Sequence, residues 1–420
     1  MNTIMGNITN LNPSSILFII LFIITFDYIF NQILDVLNLR SRKDELTEEA
    51  KDFYDESKYA KSQEYQKVRS KFSFLSSAIS FITSFLILSL GGFGYLDQLL
   101  GNYIQSELLL SLCFFGVIFI LSDILSLPFS IYSTFVIEEK FGFNKTTLKT
   151  FILDKIKGYI LTIIVGGGLL SLLIYLIKDI GQPFWIYFWI IASVFIVFVN
   201  MFYTSLILPL FNKLTPLGDG ELKEAILKYS KKVEFPLDNI YVIDGSKRSA
   251  KANAFFSGIG KRKKIVLYDT LINNHTIDEL VAVLAHEVGH FKKKHIINGL
   301  FISIGQIGLM LFIMSMLIFD KNTSLALGGN DWAIHLNLLA FGIIYSPIST
   351  LLSIIGNIIS RKNEFEADEY AKTTFSGEEL QKALKKLSVD SLSNLYPHPA
   401  YVFIHYSHPP LLTRLAALRK

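Results

Sequence analysis

Long uninterrupted apolar runs, rather than short alternating ones, dominate this chain. A run of ~20 such residues crosses a bilayer as an α-helix. Seven runs reach that length: about 15–37, 72–96, 108–137, 158–177, 184–210, 296–319 and 334–359. The pattern predicts a multi-pass α-helical membrane protein with about seven transmembrane helices. The first run is expected to stay in place. It is longer than a signal-peptide core, no basic residue precedes it, and no small-residue cleavage site follows.

Two stretches break the pattern, residues 211–295 and the tail from 361. Within the first, 220–233 reads as an amphipathic helix on Leu222, Ile226, Leu227 and Tyr229. Strand-like runs follow at 240–243, 252–256 and 264–268, separated by Asp244-Gly245 and Gly258-Ile259-Gly260. A small antiparallel sheet is expected. Residues 276–290 return to helical spacing through Leu280, Val281, Val283 and Leu284, with Thr276 as N-cap and Glu279 as its capping-box partner. The chain is therefore expected to divide into a five-helix membrane region, 1–210, and a unit from 211 to 420. That unit joins a small cytosolic α+β domain to the last two spans.

Composition agrees and narrows the field. Hydrophobic residues make up 51% and charged residues 18%, against roughly 25% charged in soluble domains. Mean hydropathy is +0.42. Disordered, collagenous and coiled-coil classes are excluded. The net charge of +4 is too small to argue for nucleic acid. Where the charges fall says more. Lys and Arg crowd residues 40–71, 140–157 and 211–295 and recur in the tail; the intervening loops carry none, then only Lys178, then only Lys321. By the positive-inside rule this alternation predicts the N-terminus outside and the large loop and C-terminus in the cytosol. A bacterial plasma membrane and an endoplasmic reticulum membrane both satisfy it. The lone Cys113 permits no internal disulfide and no Cys-rich metal site, which leaves any metal to His and carboxylates.

Such residues stand on the helix at 276–290. His286-Glu287-Val288-Gly289-His290 places two imidazoles a turn apart on one face, with a carboxylate beside the first. This is the H-E-x-x-H arrangement of zinc hydrolases. The plain alternative is a pair of surface histidines. A catalytic zinc needs a third protein ligand and an open position for water. The metzincin pattern would put a His where Ile296 stands, so it fails. Glu364 and Asp368 lie one turn apart just after the seventh span. The sixth span leaves the cytosolic face from the H-E-x-x-H helix and the seventh returns to it, which sets Glu364 beside His286 and His290.

With these motifs the chain resembles the type I CAAX prenyl protease family, integral-membrane zinc endopeptidases of the gluzincin kind. The likeness covers most of the chain. It runs through 138–144 (Glu-Glu-Lys-Phe-Gly-Phe-Asn), 209–217, 252–258 (Ala-Asn-Ala-Phe-Phe-Ser-Gly), 265–271, the zinc motif, 364–368, and 405–410 with Arg414. It implies one Zn2+ held by His286, His290 and Glu364, which activates a water and polarises a peptide carbonyl. Glu287 would be the general base and Asp368 would orient a ligand histidine from behind; pairing of Asp368 with a nearby Lys is the alternative. His408 and Arg414 would stabilise the oxyanion or a substrate carboxylate, and Asn253 would contact substrate backbone by strand addition. The implied substrates are membrane-attached prenylated C-a-a-X proteins, cut before the last three residues, with no nucleic-acid partner.

A related family of shorter quality-control membrane proteases shares the zinc motifs, so a general membrane-protein protease is the near alternative. A seven-span transporter or receptor with a structural zinc site is the distant one. His295 falls off the ligand face and reads as a supporting residue. His275, His335, His398 and His405 carry no pattern. Asp27, Asp123 and Asn200 interrupt apolar spans and face either a water-filled interior or a neighbouring helix.

Overall fold

The computed structural model describes residues 11–235, 237, 239–257 and 264–420. The Gly258-Ile259-Gly260 turn expected from sequence lies outside the described residues.

Seven helices among the described residues are long and apolar enough to cross a membrane. Helix α1 (Pro13–Arg40) opens on a proline in its first turn and on the Asn12 side chain, which accepts from the Ser15 amide at 2.8 Å. Helix α2 (Glu56–Ser89) begins with an Asp55 cap and ends earlier than the hydropathy window at 72–96 implies. The reason is backbone conformation. Gly91 turns the chain at φ +68° into a separate helix, α3 (Gly92–Gly101). There the Gly94 amide donates to the Leu327 carbonyl at 2.9 Å. A Cβ on Gly94 would sit 2.0 Å from the Gly328 carbonyl, so only glycine allows these two backbones to touch.

Helices α4 (Glu107–Tyr132), α5 (Leu148–Leu161), α6 (Gly167–Ile180) and α7 (Phe184–Phe202) complete the membrane half. Of the polar interruptions, Asp123 reaches across from α4 to Lys155 of α5 at 2.6 Å. Asn200 bonds its own helix at the Ile196 carbonyl, and Asp27 accepts from Asn31 one turn on. These three groups thus bond to helices.

The segment after α7 differs from the expected all-antiparallel sheet. Strands β1 (Leu214–Pro216), β2 (Asn239–Ile243), β3 (Ala254–Ser257) and β4 (Lys264–Tyr268) form a mixed sheet in the order β1-β2-β4-β3. β2 and β4 run parallel, while β3 pairs antiparallel with β4. The apolar run Ile265-Val266-Leu267 is buried throughout, which suits a central strand flanked on both sides. β1 ends on a proline, tolerated at an edge, and is too short to stand out in the sequence. Helix α8 (Glu221–Lys232) packs Ile226 and Tyr229 into the core of this domain against Leu267, Leu271, Leu280 and Leu284.

Helix α9 (Ile277–Lys292) carries the H-E-x-x-H sequence and has the full capping box. Thr276 Oγ1 accepts from the Glu279 amide at 3.3 Å, and Glu279 Oε2 accepts from the Thr276 amide at 2.8 Å. The Lys386 ammonium lies 2.7 Å from the same carboxylate. Helix α10 (His295–Leu317) leads away through the apolar region, and α11 (Ile334–Ala371) returns in 38 continuous residues. At the far end of α11 the buried His335 links three helices. Its Nε2 lies 2.9 Å from Asp97 and its Nδ1 3.1 Å from Ser111 Oγ. Helices α12 (Gly377–Asp390), α13 (Pro399–His405) and α14 (Leu411–Arg419) fold the tail back over α9 and α11.

Candidate metal centre

Close packing of α9 on α11 builds the site. A Cβ at Gly289 would lie 3.0 Å from the Ala367 Cα, so the missing side chain is what lets the two helices approach. The approach brings together His286, His290 and Glu364. The two Nε2 atoms are 3.2 Å apart. Glu364 Oε2 stands 3.5 Å from His286 Nε2, and Oε1 3.2 Å from His290 Nε2. The donor atoms of all three lie within 4.8 Å of one another.

Each outward ring nitrogen is occupied. His286 Nδ1 lies 2.8 Å from Asp368, which Arg414 grips in bidentate fashion at 2.8 and 2.6 Å. His290 Nδ1 lies 3.1 Å from His295 Nδ1, and His295 Nε2 lies 3.2 Å from Glu366. Both Nε2 atoms are thereby turned inward. They face each other and Glu364 Oε2, a buried oxygen without a hydrogen-bond partner. Converging lone pairs beside a buried carboxylate oxygen that makes no hydrogen bond, with the Arg414 guanidinium 3.3 Å from it, suit a divalent cation, and the donor set of two imidazoles and one carboxylate fits zinc.

Electrostatics follow the same lines. Burial pushes the Glu287 carboxyl up from the ordinary carboxylate range, against the pull of His286 and His290. Burial would lower the His290 imidazole, yet its bond to Glu364 outweighs this and holds it above the usual histidine range. Burial likewise opposes the charge on Arg414, but Asp368 and Glu364 keep it firmly protonated.

A cleft of about 390 Å³ opens over these groups, lined by Asn253, His286, Glu287, His290, Glu364 and His408 among others. His408 Nε2 stands 3.3 Å from Glu364 Oε1 with its side chain largely exposed. Asn253 precedes β3, an edge strand; its carbonyl accepts from the Tyr268 amide at 3.1 Å and its side chain from the Ala254 amide at 2.9 Å.

The eight residues singled out in the sequence therefore meet around one cleft or directly behind it. Arg414 lines the same cleft. It is 9% exposed and committed to Asp368 and, at 3.3 Å, to Glu364. Glu366, which completes the chain of bonds behind His290, was not singled out. Its signal was available, two residues after Glu364 and close to the line of His295. Asp97 and Ser111 around His335 had no signal, because 238 and 224 residues separate them from it.

Comparison with known proteins gives concordant matches. A family model described as CAAX prenyl protease N-terminal, five membrane helices, matches residues 35–213. That of peptidase family M48 matches 216–420. The human CAAX prenyl protease 1 homolog is 37% identical over 413 residues, covering 87% of this chain and 86% of its own. CAAX prenyl protease 1 of Saccharomyces cerevisiae is 34% identical over 395 residues, covering 87% of each chain. The crystal structure of S. mikatae Ste24p superposes with a TM-score of 0.91 at 33% identity, covering 96% of this chain and 99% of that one.

Proposed function

The chain belongs to the CAAX prenyl protease family of M48 metallopeptidases, and from that membership and the cleft's geometry we propose which metal it uses and what it cuts. It is a multi-pass membrane metalloendopeptidase. The metal we assign is a single zinc ion held by His286, His290 and Glu364. The substrates we assign are membrane-attached, prenylated C-a-a-X proteins, hydrolysed close to their carboxyl terminus. The charge pattern of the loops supports a site on the cytosolic side, with the N-terminus outside.

Bound there, zinc would supply Lewis-acid polarisation of the scissile carbonyl and acidify a water. The chain's own groups supply the rest. Glu287, raised in pKa by its setting, takes the proton from the attacking water and hands it to the leaving amine. Asp368 fixes the ring of His286, and Arg414 holds that carboxylate in place. His408, exposed at the rim, donates toward the oxyanion. The edge of β3, the outermost strand among the described residues, accepts an extended peptide backbone, with Asn253 at its entrance.

The observation that carries this reading is the convergence of three ligands with Glu287 in one cleft. A structural zinc site is closed by a fourth protein ligand; the group among the described residues has three. The identity to curated CAAX proteases along both halves of the chain favours this substrate class over general quality control. The test is cleavage of a farnesylated and an unlipidated C-a-a-X peptide by purified protein, with and without chelator. Zinc-dependent cleavage lost in Glu287→Gln, with zinc still bound, is the expected result. Undiminished cleavage by that variant would refute the assignment of the base.

A further inference from the structure

Beside the metal cleft lies a second, larger cavity of about 780 Å³, and His408 and Arg414 belong to the walls of both. A peptide end leaving the cleft past these two side chains enters it. We infer that Arg69, on α2 in the wall of this cavity, binds the α-carboxylate of the substrate's last residue. This rests on the reading that the cut lies near the substrate's carboxyl terminus.

A carboxylate carried into the cavity needs a cation with free hydrogen-bonding capacity. Arg414 has little left, since Asp368 takes two of its donors and Glu364 a third contact. Lys251 is also engaged, 2.9 Å from Glu138 and 3.0 Å from the Tyr65 hydroxyl. Arg69 is left. Its guanidinium rests over the Tyr65 ring at 5.5 Å and is exposed. Among the described residues it makes no ion pair, and none links it to Asp35, the acidic residue of the same wall. Stacking on a ring leaves the planar fork free to meet a carboxylate with two parallel N–H···O bonds, which an ammonium cannot do. Three extended residues beyond a cut reach about 10 Å, and His408 and Arg414, shared by both walls, set the two cavities side by side.

Paired substrates test this. Two peptides of one sequence, ending in a free carboxylate or a carboxamide, are turned over by the purified full-length protein, and the ratio of their KM values is read. The wild type should show a KM about tenfold or more higher for the carboxamide, as expected when a charged hydrogen-bond partner is lost. In Arg69→Gln the ratio should fall to near one, and in Arg69→Lys it should be partly restored. Lys67→Gln, an exposed cation of the same helix outside the cavity wall, should leave it as in the wild type. Because each ratio is internal to one preparation, a partly unfolded variant does not distort it. Equal KM values in the wild type, or discrimination that survives Arg69→Gln, would overturn the assignment. Failure of the wild type to cut either peptide would overturn the C-terminal reading and this inference with it.

Discussion

Replacing Gly289 with alanine tests the packing that creates the metal centre. The new Cβ would lie 3.0 Å from the Ala367 Cα, 3.1 Å from the Ala367 carbonyl oxygen and 3.1 Å from the Tyr370 Cβ. Relaxed carbon contacts sit at about 3.5–4.0 Å, so the helices must part by about 0.5 Å or more. Two of the three clashing atoms are backbone, and no rotamer change removes them. Overpacking of this kind costs about 1–3 kcal/mol. If the helix pair must close for the ligands to meet, that cost appears in metal affinity as a loss of about 5- to 150-fold. Competition titration against a chromophoric zinc chelator measures it directly. Gly299→Ala is the control, because no atom lies within 4 Å of a Cβ there. A folded Gly289→Ala protein whose zinc affinity matches that of Gly299→Ala would refute the reasoning.

Other expectations concern the supports of the site. His295→Leu should weaken zinc binding by about 10- to 100-fold, with part of the loss recovered in His295→Gln; unchanged affinity would show that the bond to His290 carries nothing. Glu279 should make stability pH-dependent. Burial opposes its charge, but Lys386 and the Thr276 amide pull its pKa below the usual 4.5. The stability it adds is therefore present above about pH 4.5 and is lost as pH falls through the lower folded-state value. Thermal melts of Glu279→Gln and wild type should differ most near pH 7 and converge in acid; a gap that widens on acidification would contradict this. Dialysis against chelator should abolish cleavage and stoichiometric zinc should restore it, with leucine-for-ligand variants at Glu364 not restored.

Much of the architecture was readable because a bilayer imposes one length on every crossing element. Hydropathy located the spans but not the end of α2, since a left-handed glycine at 91 leaves no trace in an apolar window. Strand runs were legible, but their partners were not. Nothing local distinguishes a β4 inserted beside β2 in parallel from an antiparallel meander. The grouping of His286, His290 and Glu364 was legible because two lie a turn apart on α9 and the third is returned by a helical hairpin. The bond from Arg414 to Asp368 escaped because it depends on how the tail folds, 46 residues away. His335 likewise looked ordinary until α3 and α4 supplied its neighbours.

The length of α11 has a mechanical consequence. From His335 to Glu364 it covers about 44 Å at ~1.5 Å per residue. A lever of that length pivoting at its Asp97–Ser111 anchorage swings its other extremity by about 0.8 Å per degree. Misplacement by about 1 Å can cost a reaction 10²-fold. A bilayer whose thickness changes the slant of this one helix should therefore change the rate, so turnover should follow the thickness of the bilayer in which the enzyme is reconstituted.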